Sequence, residues 1–432
     1  SLLFVFQNLG YQPNNLDDSW VAPLLSNRSQ KVRFWCVKTL GKTKREEHIP
    51  LLKNVALKDE ATEVRREAVS SIGRLRSPAI VSVLSEILTD DDPKIVLQAI
   101  RGLLTFKDDA SVSKQLKSFR NHPNEMIQKV IKKEYYSSAS NTLPKQAHKV
   151  SYDFLKNVIV LGDVRKVLEA VPDESFHLTF TSPPYYNARD YSIYKSYQEY
   201  LDLLKEVFEL THQKTKEGRF LIVNTSPIII PRVSRQHSSK RYPIPFDVHN
   251  FLVNMGWEFI DDIVWKKPET SVKNRNAGFL QHRKPLAYKP NAVTEYLMVY
   301  RKETDRLIDW NMRQYDKETV EESKVEDGYE TSNVWEIAPK HDKVHSAVFP
   351  VELCRRVVKY YSFKGDLVFD PFAGSGTFGK VAESLNRFFF LTEQELEYFD
   401  YMKINFAEAD VFEDTKIAPN FLTLDQFRER EK

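Results

Sequence analysis

Two short stretches bring together residue types that could do chemistry. Thr181–Tyr185 reads TSPPY and follows the apolar run SFHLTF. Further on, DLVFDPFAGSGT runs from Asp366, and a later apolar run, RFFFLTE, ends at Glu393. In the first stretch, Pro183 and Pro184 stiffen the chain, and Pro183 also restricts Ser182. That leaves the Ser182 hydroxyl and the Pro183 carbonyl as two fixed acceptors, with the Tyr185 ring as a flat neighbour. In the second, Asp370, Pro371 and Phe372 end a strand, and Gly374, Ser375, Gly376 and Thr377 lead into a helix. Glycines at such a turn let the backbone come close to a ligand, and helix N-terminal amides suit a carboxylate or phosphate. Glu393 closes the next strand, placed to accept hydrogen bonds from ribose hydroxyls. Gly-Ser-Gly alone fits any tight turn, and Ser-Pro-Pro-Tyr alone fits any rigid surface turn. Their combination carries the argument. There is no Gly-Lys-Ser/Thr, which excludes a P-loop. The G-S-G-T-F-G of residues 374–379 comes late, where a dinucleotide fold would put it first.

The elements that must position these loops alternate in type. Strand-like runs are NVIVLGD, SFHLTFTS, GRFLIVNTS, FIDDIVW, AVTEYLMVYRK, DLVFDPF and RFFFLTE. Helix-like runs begin at Tyr197, Pro245, Pro350 and Phe378, the first with apolar residues at helical spacing from Tyr200 to Phe208. This alternation predicts a mostly parallel sheet with helices on both faces. Both loops then fall at carboxyl ends of parallel strands, the edge where open α/β sheets bind ligands, so they are expected to share one cleft.

TSPPY followed much later by DPFAGSGT resembles the permuted (β) class of DNA amino-methyltransferases. The resemblance spans most of 151–405, including LGDVRKVLEAVPDESFHLTFTSPPY, GWEFIDDIVWKKP and HSAVFPVELCRRVVKYYSFKGDLVFDPFAGSGT. It implies a Rossmann-like α/β methyltransferase fold and S-adenosyl-L-methionine as cofactor. Catalysis then falls to Ser182, Pro183, Pro184 and Tyr185. Cofactor binding falls to Asp370, Pro371, Phe372, Gly374, Ser375, Gly376, Thr377 and Glu393. Asp163 would touch cofactor or substrate, or merely cap a turn. Phe349 and Pro350 would pack against the cofactor, or only into the core. Leu391 stands where the family often has glycine, which would tighten the pocket, and Thr392 and Gln394 are polar where aliphatics are common. The Ser form of the motif implies transfer to cytosine N4, with adenine N6 as the alternative. C5 chemistry needs a thiolate, and neither Cys36 nor Cys354 sits in a suitable loop.

The first third has a different grammar. SQKVRFWCVKTL, ATEVRREAVSSI, DPKIVLQAIRGL and HPNEMIQKVIKK recur at 31–32 residues. Apolar positions align as Val32, Val64, Ile95 and Met126, then as Val37, Val69, Ile100 and Val130. Each is preceded by a second amphipathic stretch, so helix pairs are expected to stack as an all-α solenoid or to form a plain helical bundle. The Val-Arg pairs at 32–33 and 64–65 resemble HEAT repeats. The expected layout is a helical domain over 1–140, a linker over 141–150 and a catalytic domain over 151–432, with loops or inserts about 227–245, 266–290 and 302–333.

Composition bounds the partners. With 41% hydrophobic and 28% charged residues the chain is an ordinary globular one, and a net charge of +3 means any nucleic-acid surface is local. Two distant cysteines exclude a disulfide framework and imply no metal site. The apolar runs are too short for a membrane span, no signal peptide is expected at the start, and a cytoplasmic setting follows. Double-stranded DNA is the implied partner, with a cognate restriction endonuclease as another, and RNA or a catalytically dead scaffold as rival readings. Local basic stretches suit phosphate: Arg232, Arg235, Lys240 and Arg241, then Lys273, Arg275, Arg283 and Lys284. Arg189 would reach a phosphate or base, or pair with Asp190. The acidic run ETVEESKVEDGYE is expected to be exposed or partly disordered. The helical repeats would grip DNA, bind a protein or self-associate.

Overall fold

The computed structural model describes residues 2–8, 17–136, 151–186, 194–230, 234, 236–237, 239–339, 348–407 and 419–430. The chain divides into two compact units, Ser1–Pro144 and Lys145–Lys432.

The first unit is helical. Its principal helices are Gln30–Thr43, Ile49–Lys58, Thr62–Leu75, Ile80–Ile87, Pro93–Leu103, Ala110–Lys117 and Glu125–Tyr135. The repeat is visible in the caps. Ser29, Ala61, Asp92 and Asn124 precede the second helix of each pair. Three positions after each cap lies a buried side chain: Val32, Val64, Ile95 and Ile127. The sequence alignment put Met126 and Val130 in the last repeat. Met126 is 50% exposed. The Asn124 side chain accepts the amides of Met126 and Ile127, which starts the helix one residue later and turns Ile127 and Ile131 inward. The Val-Arg pairs also gain a reason. Arg33 holds Asp59 through Nε at 2.8 Å and Nη2 at 2.9 Å, and one repeat on Arg65 pairs with Asp90 through Nη2 while its Nε donates to the Ala56 carbonyl at 2.9 Å. Each guanidinium thus locks its helix to the turn of the next repeat.

The second unit is built on a nine-stranded sheet. Its strands are β1 Val158–Leu161, β2 Phe176–Thr181, β3 Thr215–Thr225, β6 Trp257–Lys266, β7 Thr294–Lys302, β8 Val334–Glu336, β9 Leu367–Asp370, β10 Phe388–Glu393 and β11 Asn420–Thr423. A separate hairpin comprises β4 Ile228–Ile230 and β5 Lys240–Tyr242. The order is β11-β1-β10-β9-β2-β3-β7-β6-β8. The run from β11 to β3 is parallel, and β7 lies antiparallel between β3 and β6. All seven anticipated strands form. The short β8, β11 and the hairpin carry no periodic signal and were not anticipated.

Alternation explains the apolar runs. Val158 and Val160 face one side with Phe176, Leu367, Phe369 and Phe390, under the helices Val164–Leu168 and Leu424–Arg430. Ile159 faces the other with Leu178, Phe180, Val368 and Leu391, under Val351–Tyr361 and Thr377–Ser384. With both faces covered, every strand position favours an apolar residue. Phe176 stacks on Phe369 at 4.4 Å between ring centroids in the middle of this arrangement.

The acidic run 318–330 is exposed to half-buried, as expected, and the insert that carries it has a fixed course. It forms the short helices Ile308–Met312 and Lys317–Glu322 and is strapped to the sheet. Asn311 is buried and accepts from Arg301 at 2.9 Å. Tyr315 donates to Asp366 at 2.5 Å and stacks on Phe363 at 4.2 Å. Asp366 in turn pairs with the buried Arg219. Two anchors hidden among the acids, Asn311 and Tyr315, give the segment a fixed course. Arg189, Arg232, Arg235 and Asp190 lie outside the described residues, as does the whole of the anticipated linker 141–150.

Candidate active site

The cleft lies over four neighbouring strands, β1, β10, β9 and β2. Each delivers a loop from its carboxyl end. Gly162 and Asp163 follow β1, Ser182–Tyr185 follow β2, Pro371–Ser375 and Thr377 follow β9, and Glu393–Glu395 close β10. Leu203, Phe349 and Tyr398 complete its wall with Tyr194. The late strands β9 and β10 lie between the early strands β1 and β2, which is why loops nearly two hundred residues apart share one cavity.

The two motifs touch through one hydrogen bond. Thr181 Oγ1 donates to Asp370 Oδ1 at 2.7 Å, in full burial. Asp370 also accepts the amide of Phe372 at 3.0 Å. Burial pushes the Asp370 carboxyl up to about 7. Asp370 does not line the cleft; it ties the glycine loop to the Ser-Pro-Pro loop from beneath. Gly376 and Pro350 also stand behind the surface. Pro350 caps the helix Val351–Tyr361, whereas Phe349 lines the cleft and stacks on Phe180 at 4.5 Å.

The glycine loop is shaped by its backbone. Gly374 and Gly376 have φ of 53° and 73°, where a side chain is strained. A Cβ on Gly376 would lie 2.8 Å from Phe406 and 2.9 Å from Met402. Glu393 Oε2 accepts the Gly374 amide at 2.8 Å, and Oε1 accepts the Glu395 amide at 3.0 Å. Burial raises this carboxyl to about 7 as well. Thr392 donates to the Pro371 carbonyl at 2.8 Å, so the polar residue at this position is a tether. Leu391 was expected to narrow the pocket. Instead it packs in the core against the helix face bared by Gly379.

Asp163 caps the helix Val164–Leu168, accepting the Arg165 amide at 2.9 Å. It also pairs with the Arg165 guanidinium, which holds its carboxyl below the usual range. It lines the cleft while doing so. Ser182 lines it too, and its hydroxyl bonds to no other described residue.

The tyrosines after Ser-Pro-Pro serve as anchors. Tyr185 donates to Glu295 Oε2 at 3.2 Å. Glu295 also accepts from Asn224 at 2.9 Å and pairs with Lys267. Burial, then Glu295, keeps the Tyr185 hydroxyl far above its ordinary range. Lys267 and Glu295 are the two stems of the basic segment 268–293, so this network fastens that segment to the Ser-Pro-Pro loop. Tyr186 meets Tyr242 edge-on at 5.0 Å, and Tyr242 ends the β4–β5 hairpin. Tyr185 was expected to stand as a flat ring beside the two acceptors. Its hydroxyl is committed to Glu295, and its ring still borders the cleft.

Lys240, Arg241, Lys273, Arg275, Arg283 and Lys284 are exposed, on the hairpin and on the 268–293 segment. Sequence reading missed Glu295, Asn224 and Tyr242. An acid opening an apolar strand, as in TEYLMVY, is the one local hint for Glu295. It also missed Glu395 and Tyr398, which line the cleft shortly after Glu393. Both cysteines are buried in helices; burial pushes Cys36 up to about 12 and Cys354 far above its usual range. Neither thiol can serve as a nucleophile.

A DNA methylase family model matches residues 176–404, and the chain belongs to that family. A HEAT-repeat model matches residues 18–105 and 49–130, so the helical unit consists of HEAT repeats. Type II beta methyltransferase M.BslI of Bacillus sp. (strain NEB-606) is 27% identical over 53% of this chain and 25% of its own length. Type II methyltransferase M.MwoI of Methanothermobacter wolfeii is 27% identical over 54% and 31%. Type II methyltransferase M.Cfr9I of Citrobacter freundii is 28% identical over 55% and 84%. The chain thus spans a third or less of the first two of these relatives. Among solved structures, the PvuII DNA methyltransferase (cytosine-N4-specific) aligns with a TM-score of 0.46 and 20% identity, over 65% of this chain and 93% of that one.

Proposed function

We propose that this chain transfers a methyl group from S-adenosyl-L-methionine to the exocyclic N4 of a cytosine turned out of double-stranded DNA. The cofactor supplies an electrophilic methyl on a sulfonium, and the cleft has the donor set for it. Gly374 and its neighbours allow close approach of the backbone. Glu393 presents carboxylate oxygens, and Phe349, Phe372 and Tyr398 offer apolar walls. The observation that carries the reading is the Ser182 hydroxyl, free of other described partners, on a residue that lines the cleft together with Pro183 and Glu393.

The cytosine amine is a poor nucleophile because its lone pair is delocalised into the ring. Two fixed acceptors at its protons favour the pyramidal form. Preorganised groups of this kind lower a barrier without rearranging during reaction. With the cofactor bound, the Ser182 hydroxyl and the Pro183 carbonyl would hold the amine while its nitrogen takes the methyl from the sulfonium, which would be left a thioether, and the displaced amine proton would pass to solvent. Asp163 steadies the β1 loop, and Arg189, Arg232, Arg235 and the exposed cations of 273–284 and 240–241 contact phosphate. The 227–245, 266–290 and 302–333 segments frame target recognition. The type II names of the relatives support a restriction–modification setting in the cytoplasm, with a cognate nuclease as partner. No helix among the described residues is long and apolar enough to cross a membrane.

Incubation with methyl-labelled cofactor and unmethylated DNA, followed by nucleoside separation, tests this. Label in N4-methylcytosine is expected. Label in N6-methyladenine would overturn the base assignment and keep the fold and cofactor.

A further inference from the structure

The HEAT unit carries a groove whose lining matches a nucleic-acid backbone. It runs across the carboxyl ends of Gln30–Thr43, Thr62–Leu75 and Pro93–Leu103. Lys42, Lys44, Arg74, Arg76 and Arg101 line it, and no carboxylate does among the described residues. Two cations recur at the repeat period, Lys42 with Arg74 and Lys44 with Arg76. The helices approach closely enough to join these into one strip. A Cβ on Gly73 would lie 3.3 Å from the Gly102 Cα, and one on Gly41 would strike Ser71.

Two further features separate this strip from ordinary helix-end charge. Lys44 and Arg76 sit in the left-handed region, with φ of 55° and 51°. Glycine or asparagine normally takes that position, so a long cation is held there in two successive repeats against backbone preference. The rest of the lining is polar and small: Ser70, Gln98 and Thr105. Protein-binding surfaces rely on aromatic and apolar anchors at their centre, and this groove offers none. Arginine, lysine and hydroxyl or amide side chains together are the set that meets phosphate and sugar.

We propose that this groove holds the sugar–phosphate backbone of duplex DNA, independently of sequence, and so adds affinity to the catalytic unit. The proposal rests on the reading that the chain acts on DNA. Lys44, Arg76 and Arg101 have no ion-pair partner among the described residues, which leaves them for phosphate; Arg74 already holds Glu67 at 2.9 Å.

The test is duplex binding by the full chain, without cofactor, over a range of salt. Each phosphate contact contributes about 0.9 to the slope of log affinity against log salt. The triple variant K44Q/R76Q/R101Q is expected to lower that slope by about 2 to 3 and to weaken binding at least about tenfold. The charge-keeping variant K44R/R76K/R101K is expected to retain the slope. An unchanged slope in the triple variant, with or without a lower melting temperature, overturns the proposal and leaves the cations as helix-end charges. Loss of poly-glutamate binding with an unchanged duplex slope also overturns it, in favour of an acidic protein partner. Because no methyl transfer is read, wild-type chain that binds duplex but methylates nothing would count against the catalytic reading alone.

Discussion

The glycine loop and the Ser-Pro-Pro-Tyr loop border the same cleft, yet they are held in opposite ways. Residues 371–377 are fixed from within and from the adjoining strand: positive φ at Gly374 and Gly376, the Thr392 hydroxyl on Pro371 and the Glu393 carboxylate on Gly374. Residues 182–186 are fixed from a distance. Tyr185 depends on Glu295, Asn224 and Lys267, and Tyr186 on Tyr242. A loop meant to grip one constant ligand can be built into the sheet edge. On the proposed function, the loop that would act on one base of a large polymer is instead tied to the exposed basic segments.

The sharpest break in the comparison is at Ser182. Ser182→Ala removes an acceptor and no support, so kcat is expected to fall about 10²–10³-fold, the range seen when one preorganised polar group is lost. Cofactor affinity, read by calorimetry, should stay at the wild-type value. A parallel loss of cofactor binding would show that the two loops are not separable.

Gly376→Ala breaks the other side. The left-handed conformation costs a side chain about 1–2 kcal/mol, and overpacking against Phe406 and Met402 adds about 1–3 kcal/mol. Cofactor affinity is expected to fall at least about tenfold, the equivalent of 1.4 kcal/mol, with a lower melting temperature. A variant that binds cofactor normally would mean that Met402 and Phe406 yield.

This contrast also explains what was legible in the amino-acid order. The glycine loop was readable because Asp370, Gly374, Gly376 and Glu393 lie within one strand–helix–strand unit. The sheet was readable because strands covered on both faces show as apolar runs. Glu295 stands 110 residues from Tyr185, and nothing local to either residue announces the pairing. Asp370 was legible as a motif member but not as a buttress, since its partner Thr181 belongs to the other motif. The slip from Ile127 to Met126 arose because MIQKVI offers two apolar stripes one residue apart, and only the Asn124 cap chooses between them.

Glu295→Gln sharpens the comparison from the catalytic side. It keeps the shape but withdraws the charge opposite Lys267, both side chains being under one-fifth exposed. Losing one partner of such a hydrogen-bonded charge costs about 1–3 kcal/mol. The kcat/KM for DNA is expected to fall about tenfold or more, mostly through KM, because the 268–293 stem loosens. Cofactor binding should not change, and a cofactor defect would contradict the division between the two loops.

The smallest effect is expected from pH. The Glu393 carboxyl is buried and raised to about 7, so across pH 6 to 8 it passes from mostly protonated to mostly ionised. The ionised form is the better acceptor for ribose hydroxyls and the better neighbour for a cationic cofactor. Affinity should therefore rise up to about tenfold over that window, following the ionised fraction. Glu393→Gln should bind weakly and flatten the profile, and an unaltered profile would assign the titration to another group. In the unliganded chain the sign is reversed. Asp370 and Glu393 have folded values above their unfolded ones, so the folded state holds more protons between about pH 4 and 7. Their contribution to stability is complete below the unfolded values and is lost as pH rises through 7. Cofactor, by favouring the ionised Glu393, should oppose that loss, so the melting-temperature gain on adding cofactor is expected to be larger at pH 8 than at pH 6.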